Sequence, residues 1–280
     1  MLGVPPISTY SSTVLFNFQV NSNIRNPEDF EILFTFTGTE DEKWFYAVSA
    51  AIDVLSREII GIAEELRDCN VDFDKVGYNL AEIIGELTKV LNRMYEKCGP
   101  EVFYHKIRRY FAGWFNDPHF SESSGLIYEL NMEKGETVVL NLAGGSAAQN
   151  PTIQLLDIVL DVKHADEPEY ALLCNWDAPL SCCPMGRFNS DQASYLKAMR
   201  EYMPREHREY LEAIEMQKID ARFKLSAGYQ ACIKELANFR SEHIKMVSRY
   251  IVCQNSRARG TGGSNPIPFL KKLRDDTLKQ

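Results

Sequence analysis

The chain has 280 residues, of which 45% are hydrophobic and 11% aromatic, enough to bury a sizeable core. Lysine and arginine total 31 against 39 aspartates and glutamates, and the formal net charge of −8 excludes a general affinity for nucleic-acid phosphates. No apolar run approaches the roughly 20 residues of a membrane span, and MLGVPPISTY lacks a basic segment followed by an apolar core, so a cytoplasmic protein with no membrane or nucleic-acid partner is expected.

Taken in chain order, the dominant periodicity is helical. Residues 44–66, WFYAVSAAIDVLSREIIGIAEEL, are apolar on most sides, as expected of a helix buried in a bundle. Val76, Leu80, Ile83, Ile84, Leu87, Val90, Leu91 and Met94 form the stripe of a second, amphipathic helix that ends at Gly99-Pro100. Pro100 suits the first turn of a third, PEVFYHKIRRYFAGWF. LIYEL and TVVLN, separated by a charged turn with a glycine, predict a small hairpin. Asn150-Pro151 then caps a helix running through Val162.

Residues 164–189 carry several prolines, the pair Cys182 and Cys183 and no periodicity, and are expected to form a long loop. Further helices are expected over 190–203, 204–216, 226–254 and 269–278. The seven cysteines, at irregular positions, form neither a disulfide framework nor a CxxC zinc pattern, and reduced thiols are expected. No break divides the chain, so residues 1–280 are expected to be one domain of the all-α class, a helical bundle with a minor β-hairpin.

The helix NFRSEHIKMVSRY raises the functional question. Tyr229, Cys232, Ile233, Leu236, Phe239, His243, Met246, Val247 and Tyr250 recur at steps of three and four, so His243 points into the core. Two readings are open: a neutral core histidine bonded to a backbone carbonyl, or a proximal haem ligand on a rigid apolar helix. Arg240, one turn earlier, is placed to meet a propionate or to form a structural ion pair. His207 is expected on a solvated face, His119 and His164 fall at element ends, and His105 is the other candidate for an inward position. No HxxxH or HExxH pair supports a zinc hydrolase. Two glycine-rich turns, at 144–149 and 260–264, lack P-loop or dinucleotide signatures, and their glycines would permit close approach to a flat ligand.

Several ordered blocks resemble the indoleamine 2,3-dioxygenase family: FYHKIRRYFAGW (103–114), GLIYEL (125–130), GGSAAQ followed by QLLDIVL (144–160), MREYMPREHR (199–208), FRSEHIKMVSRYI (239–251) and GTGGS (260–264). The resemblance implies a helical bundle enclosing haem b, with His243 as the axial iron ligand. Arg240 would pair with Asp157 and a propionate. On the distal side Phe45 and Phe103 would pack an indole ring, Arg108 would hold the substrate carboxylate, and Ser49 and Tyr10 would match the family's distal serine and pocket tyrosine. Ser146 and Ala147 would border the haem edge and the substrate, and Thr261 with Gly262 would close the active-site loop 255–264 over it. Read bottom-up, the same residues have plain alternatives: Phe45 and Phe103 as core, Ser49 bonded to its own helix, Arg108 as a surface charge.

The implied reaction inserts both atoms of dioxygen across the indole C2–C3 bond of tryptophan or a related indole, giving an N-formylkynurenine-type product, with a reductant keeping the iron ferrous. The resemblance begins at the family's large helical domain, so its small N-terminal domain is expected to be absent, the exposed apolar surface giving a homodimer. QNSRAR is a short link to GTGGS, and 164–189 looks expanded and could serve as cover. Other outcomes of the same constellation are a different oxidation of a larger indole, or a haem-based oxygen carrier or sensor.

Overall fold

A computed structural model gives the architecture. The structure describes residues 4–68, 70–114, 126–131, 135–140, 142–164, 195–217, 219–261 and 264–280. The expected loop at 164–189 therefore lies outside the described residues except for His164, as do Cys182, Cys183, His119 and Gly262.

The N-terminal segment makes a π-helical turn, Ser11–Leu15, and then a small antiparallel sheet of β1 (Phe18–Val20) and β2 (Phe30–Ile32), in which Phe18 pairs with Ile32. This sheet was not expected from the sequence, since strands of three residues leave no alternation to read. The helix expected over 44–66 is two helices, α1 (Glu40–Leu55) and α2 (Arg57–Glu65). They part at Ser56, whose hydroxyl donates to the Asp53 carbonyl at 2.6 Å and contacts Thr152 Oγ1 at 2.6 Å instead of leaving the backbone ladder undisturbed. Thr39 caps α1 through Glu42 N, and the fully buried Glu42 carboxylate accepts from Phe36 N, Thr37 N and Thr37 Oγ1 at 2.6–2.9 Å.

The expected stripe forms α3 (Phe73–Asn92), capped by Asp72 and followed by a short α4 (Met94–Lys97). Pro100 begins a helix, as expected, but the segment does not continue as one: α5 (Pro100–Val102) passes into a π-helical turn at Phe103–Ile107 and a 3-10 turn at Arg108–Phe111. The hairpin is present as β3 (Leu126–Asn131) and β4 (Glu136–Leu140), with Gly135 at φ 63° in the turn between them. Asn150 caps α6 (Pro151–Val159) by accepting from Ile153 N at 3.2 Å; α6 stops short of the expected end, with Asp161 at φ 49°. Then come α7 (Tyr195–Arg200), α8 (Arg205–Glu215), α9 (Ala221–Lys224), α10 (Ala227–Val247, continued as a π-helical turn at Ser248–Val252) and α11 (Pro266–Thr277).

The central pair is α3 against α10. A Cβ at Gly77 would lie 2.5 Å from the Gly228 carbonyl carbon, so only glycine lets the two backbones meet there, and Cys232 Sγ fits over Gly77 O at 3.0 Å. Leu80, Ile84, Leu87, Cys232 and Leu236 are fully buried in this seam. Burial of this kind is the main term holding a helical bundle together, at about 25 cal/mol per Å² of apolar surface. The fold is therefore mostly helical with small antiparallel sheets, as the periodicity predicts.

Candidate functional site

One cavity of about 280 Å³ opens between α1, α10 and the segments around 108, 145 and 261. α10 directs Phe239, Arg240, His243, Met246 and Val247 into it, at the spacing that the sequence pattern requires. α1 contributes Phe45, Ser49 and Ile52 from the opposite wall. All three described π-helical turns border it, through Thr13 and Val14, Phe103, and Tyr250 and Ile251. A π turn widens the helix and redirects a side chain, and such turns recur at functional sites. Tyr250 is fixed by hydroxyl bonds to the Cys98 carbonyl at 2.6 Å and the Met94 carbonyl at 3.2 Å.

His243 is half-buried and lines the cavity. Burial, and then the nearby Arg240 charge, push its imidazole down to about 4, so it is neutral at neutral pH and offers a nitrogen lone pair. Arg240 is buried at 5% exposure. It donates through Nη1 to the Leu273 carbonyl at 3.0 Å and to Thr277 Oγ1, and through Nη2 to Asp157 Oδ1. Its Nε is buried without a hydrogen-bond partner, while the side chain as a whole borders the cavity. Burial works to raise the Asp157 carboxyl, but Arg240 and His164 beside it hold it below the ordinary carboxylate range. His164 Nε2 lies 3.0 Å from Asp157 Oδ2.

On the opposite wall the rings of Phe45, Phe103 and Phe111 form an aromatic cluster, with centroids 4.8 Å apart for Phe45 and Phe103 and 5.6 Å for Phe45 and Phe111. Arg108 reaches this wall from the 3-10 turn; it donates through Nη2 to the Arg259 carbonyl, and its Nε is also buried without a partner. Burial lowers its pKa from the ordinary arginine value. Ser49 donates its hydroxyl to the Phe45 carbonyl at 2.8 Å, so what it presents to the cavity is oxygen lone pairs.

The two glycine-rich turns meet. Gly144 N donates to the Thr261 carbonyl at 3.1 Å, and Thr261 Oγ1 donates to the Gly145 carbonyl at 2.6 Å. The close approach that Gly144 permits is to backbone, since a Cβ there would lie 1.9 Å from Phe111 O. Gly144 is thus required by the adjoining backbone, whereas Gly145 and Gly260 border the cavity.

Of the residues singled out in the sequence, Tyr10, Phe45, Ser49, Phe103, Arg108, Ser146, Ala147, Asp157, Arg240, His243 and Thr261 all border this cavity. Gly262 lies outside the described residues. His105 is exposed instead of inward: it stands two residues from both buried Phe103 and Ile107, and hence on the opposite side of the turn. His207 is half-buried and its pKa is lowered by burial, so its face is less solvated than its charged neighbours imply. Sequence reading missed Phe111, Asn150 and Tyr250 as cavity residues, and it missed His164 as the second partner of Asp157.

The donor set fits an iron porphyrin. Among the described residues no cluster of three or more His, Cys, Asp or Glu could hold a bare ion, so a metal on His243 has to bring most of its own ligands. Arg240, which borders the same cavity as His243, is the cation that a propionate would need beside it.

The sequence model of the family described as indoleamine 2,3-dioxygenase matches residues 1–280. The chain is 32% identical over 332 residues to the indoleamine 2,3-dioxygenase of Saccharomyces cerevisiae, covering 99% of this chain and 69% of that protein. It is 28% identical over 298 residues to a myoglobin of Haliotis madaka, covering 99% and 70%. To the 6-hydroxytryptophan 2,3-dioxygenase fscD of Fusarium equiseti it is 27% identical over 323 residues, covering 99% and 71%. The match of the family sequence over the whole chain, on a helical fold that brings its site residues to one cavity, shows that the chain belongs to the indoleamine 2,3-dioxygenase family.

Proposed function

We propose that the protein is a haem dioxygenase acting on tryptophan or a closely related indole that keeps the amino-acid carboxylate. The observation that carries this reading is one largely apolar cavity bordered by a neutral imidazole, His243, and by two arginines, Arg240 and Arg108. His243 would be the iron ligand, and Arg240, itself oriented by Asp157, would hold a propionate, with Ser146 at the edge of the group. When bound, ferrous haem supplies the activation of dioxygen, with a reductant keeping it ferrous.

The chain's own residues supply orientation and a dry site. Phe45, Phe103 and Phe111 offer ring faces and edges to a planar indole. Ser49 presents lone pairs that accept the indole N–H. Arg108 offers its guanidinium to the carboxylate, while Tyr10, Ala147 and Thr261 complete the described wall around the substrate; Gly262, proposed for the same role, lies outside the described residues. Among the described residues, those of the aromatic wall itself (Phe45, Ser49, Phe103, Arg108 and Phe111) include no general base, which suits a reaction driven by the electron-rich indole ring.

A relative 28% identical over 298 residues carries the name myoglobin in Haliotis madaka. An oxygen carrier has no use for a carboxylate clamp, and the presence of Arg108 at the cavity favours the enzyme. The test is to load the protein with haem, reduce it, and supply L-tryptophan in air. Appearance of the near-ultraviolet absorbance of an N-formylkynurenine, dependent on stoichiometric haem, supports the reading. Haem binding with reversible oxygen uptake and no product transfers it to the carrier.

A further inference from the structure

Asp53 stands in the apolar run WFYAVSAAIDVL of α1, one turn beyond Ser49, and does not itself line the cavity. Its carboxylate organises the wall from behind. Oδ2 accepts from the Tyr10 hydroxyl at 2.6 Å, and Oδ1 accepts from Asn150 Nδ2 at 2.9 Å and Thr152 Oγ1 at 3.1 Å. Asn150 Nδ2 also donates to Tyr10 Oη at 2.9 Å, which closes a triangle of Asp53, Tyr10 and Asn150. Tyr10 and Asn150 both line the cavity. The rest of Asn150 is committed, its Oδ1 capping α6 through Ile153 N.

The groups bonded to the Asp53 carboxylate are Tyr10 from the N-terminal segment and Asn150 and Thr152 from the start of α6; Ser56 of its own helix end bonds only the Asp53 backbone carbonyl. None is a cation, and among the described residues no ion pair reaches Asp53. Burial accordingly pushes its carboxyl up to about 6. A buried carboxylate without a counter-charge is a costly way to fill space. What the anion does that an apolar residue would not is accept on both oxygens at once, which turns the Tyr10 hydroxyl hydrogen away from the cavity and leaves the ring as the wall.

We infer that Asp53 is a positioning residue for the substrate pocket: acting through Tyr10 and Asn150, it ties the N-terminal segment to the start of α6 and sets how closely this wall fits a planar aromatic substrate. The nature of that substrate rests on the proposed function, whereas the coupling of Asp53 to Tyr10 does not. A protonated Asp53 has to donate, Tyr10 Oη is its nearest acceptor, and the Tyr10 hydrogen then swings out of the triangle. The pocket wall therefore changes as Asp53 changes charge.

The test is to measure KM and kcat for L-tryptophan across pH on haem-loaded wild type, Tyr10→Phe, Asp53→Asn and the double variant. Unfolding midpoints of the same four proteins are measured without substrate. In the wild type KM rises about five-fold as pH falls through about 6, the size of one net hydrogen bond, while kcat moves less. Asp53→Asn has the raised KM at every pH, and in the double variant it adds nothing to Tyr10→Phe. A wild-type KM that is flat across this range, or additive effects of the two substitutions, overturns the inference. If Asp53→Asn does not fold, Tyr10→Phe decides alone, since loss of the hydroxyl flattens the pH profile of KM if Asp53 acts through it and leaves the profile intact if it does not. If the wild type does not turn over tryptophan, the proposed function fails; the unfolding midpoints then decide, non-additivity keeping the coupling and additivity overturning it.

Discussion

Asp157 is shared: its Oδ1 receives Arg240 Nη2, and its Oδ2 lies 3.0 Å from His164 Nε2. The His164 Nδ1 in turn faces Asp276 Oδ2 at 3.5 Å, and Asp276 is held by Lys272 at 2.9 Å and Lys279 at 2.8 Å. A single carboxylate on α6 thus joins α10, the segment after α6 and, through His164, α11. Removing it leaves the Arg240 charge buried with only the Leu273 carbonyl and Thr277 as partners. Asp157→Ala is expected to cost about 3–5 kcal/mol of stability, read as a fall in denaturant midpoint, with a larger loss than Asp157→Asn.

If the proposed function holds, Arg108 discriminates substrates by their carboxylate. Replacing it with leucine is expected to raise KM for L-tryptophan by about 10- to 100-fold, the range for a hydrogen bond to a charged group. Haem content and the turnover of an indole lacking the carboxylate should change far less. Steady-state kinetics on the two substrates provide the comparison, and an equal loss on both would remove the clamp from the account.

In the haem-free protein His243 has a folded pKa of about 4, below the ordinary value near 6.5. The unfolded chain therefore takes up a proton first as pH falls. The stability contributed by a neutral His243 is full above about 6.5 and is lost as pH falls through about 4. Asp53 has the opposite sign: its raised folded pKa gives stability that is full below about 3.9 and is lost as pH rises through about 6. Unfolding midpoints against pH should steepen in opposite directions for His243→Leu and Asp53→Asn, each compared with the wild type.

The seam of α3 and α10 supplies a prediction away from the cavity. Gly77→Ala would place a methyl 2.5 Å from backbone that cannot yield without separating the helices. A loss of about 1–3 kcal/mol or more is expected. Gly38→Ala meets no atom within 4 Å, but φ there is 68°, so its smaller cost is backbone strain alone. Denaturant midpoints of the two variants should separate accordingly.

The parts of this fold that are periodic were legible in the sequence. The stripe from Val76 to Leu91 and the spacing that turns His243 inward are both properties of a 3.6-residue repeat, and both are present. The departures have physical causes that act through space. The break at Ser56 involves Thr152, nearly a hundred positions away, and the π turn at Phe103–Ile107 has no periodic signature of its own. Asp53 left one local trace, a lone carboxylate between Ile52 and Val54 in an apolar helix, but its partners Tyr10 and Asn150 are set by tertiary contact. The cavity residues themselves were found through the family resemblance, because Phe45, Ser49 and Arg108 are indistinguishable from ordinary core and surface positions by pattern alone.

The central claim is that the cavity joins both atoms of dioxygen to one indole, and isotopically labelled dioxygen tests it most directly. Haem-loaded, reduced protein is supplied with L-tryptophan under the labelled gas, and the product is weighed by mass spectrometry. Two labelled oxygen atoms in each N-formylkynurenine molecule, with no product from His243→Ala, is the result expected here. A product carrying one labelled atom, or labelled gas taken up and released with tryptophan unchanged, would contradict it.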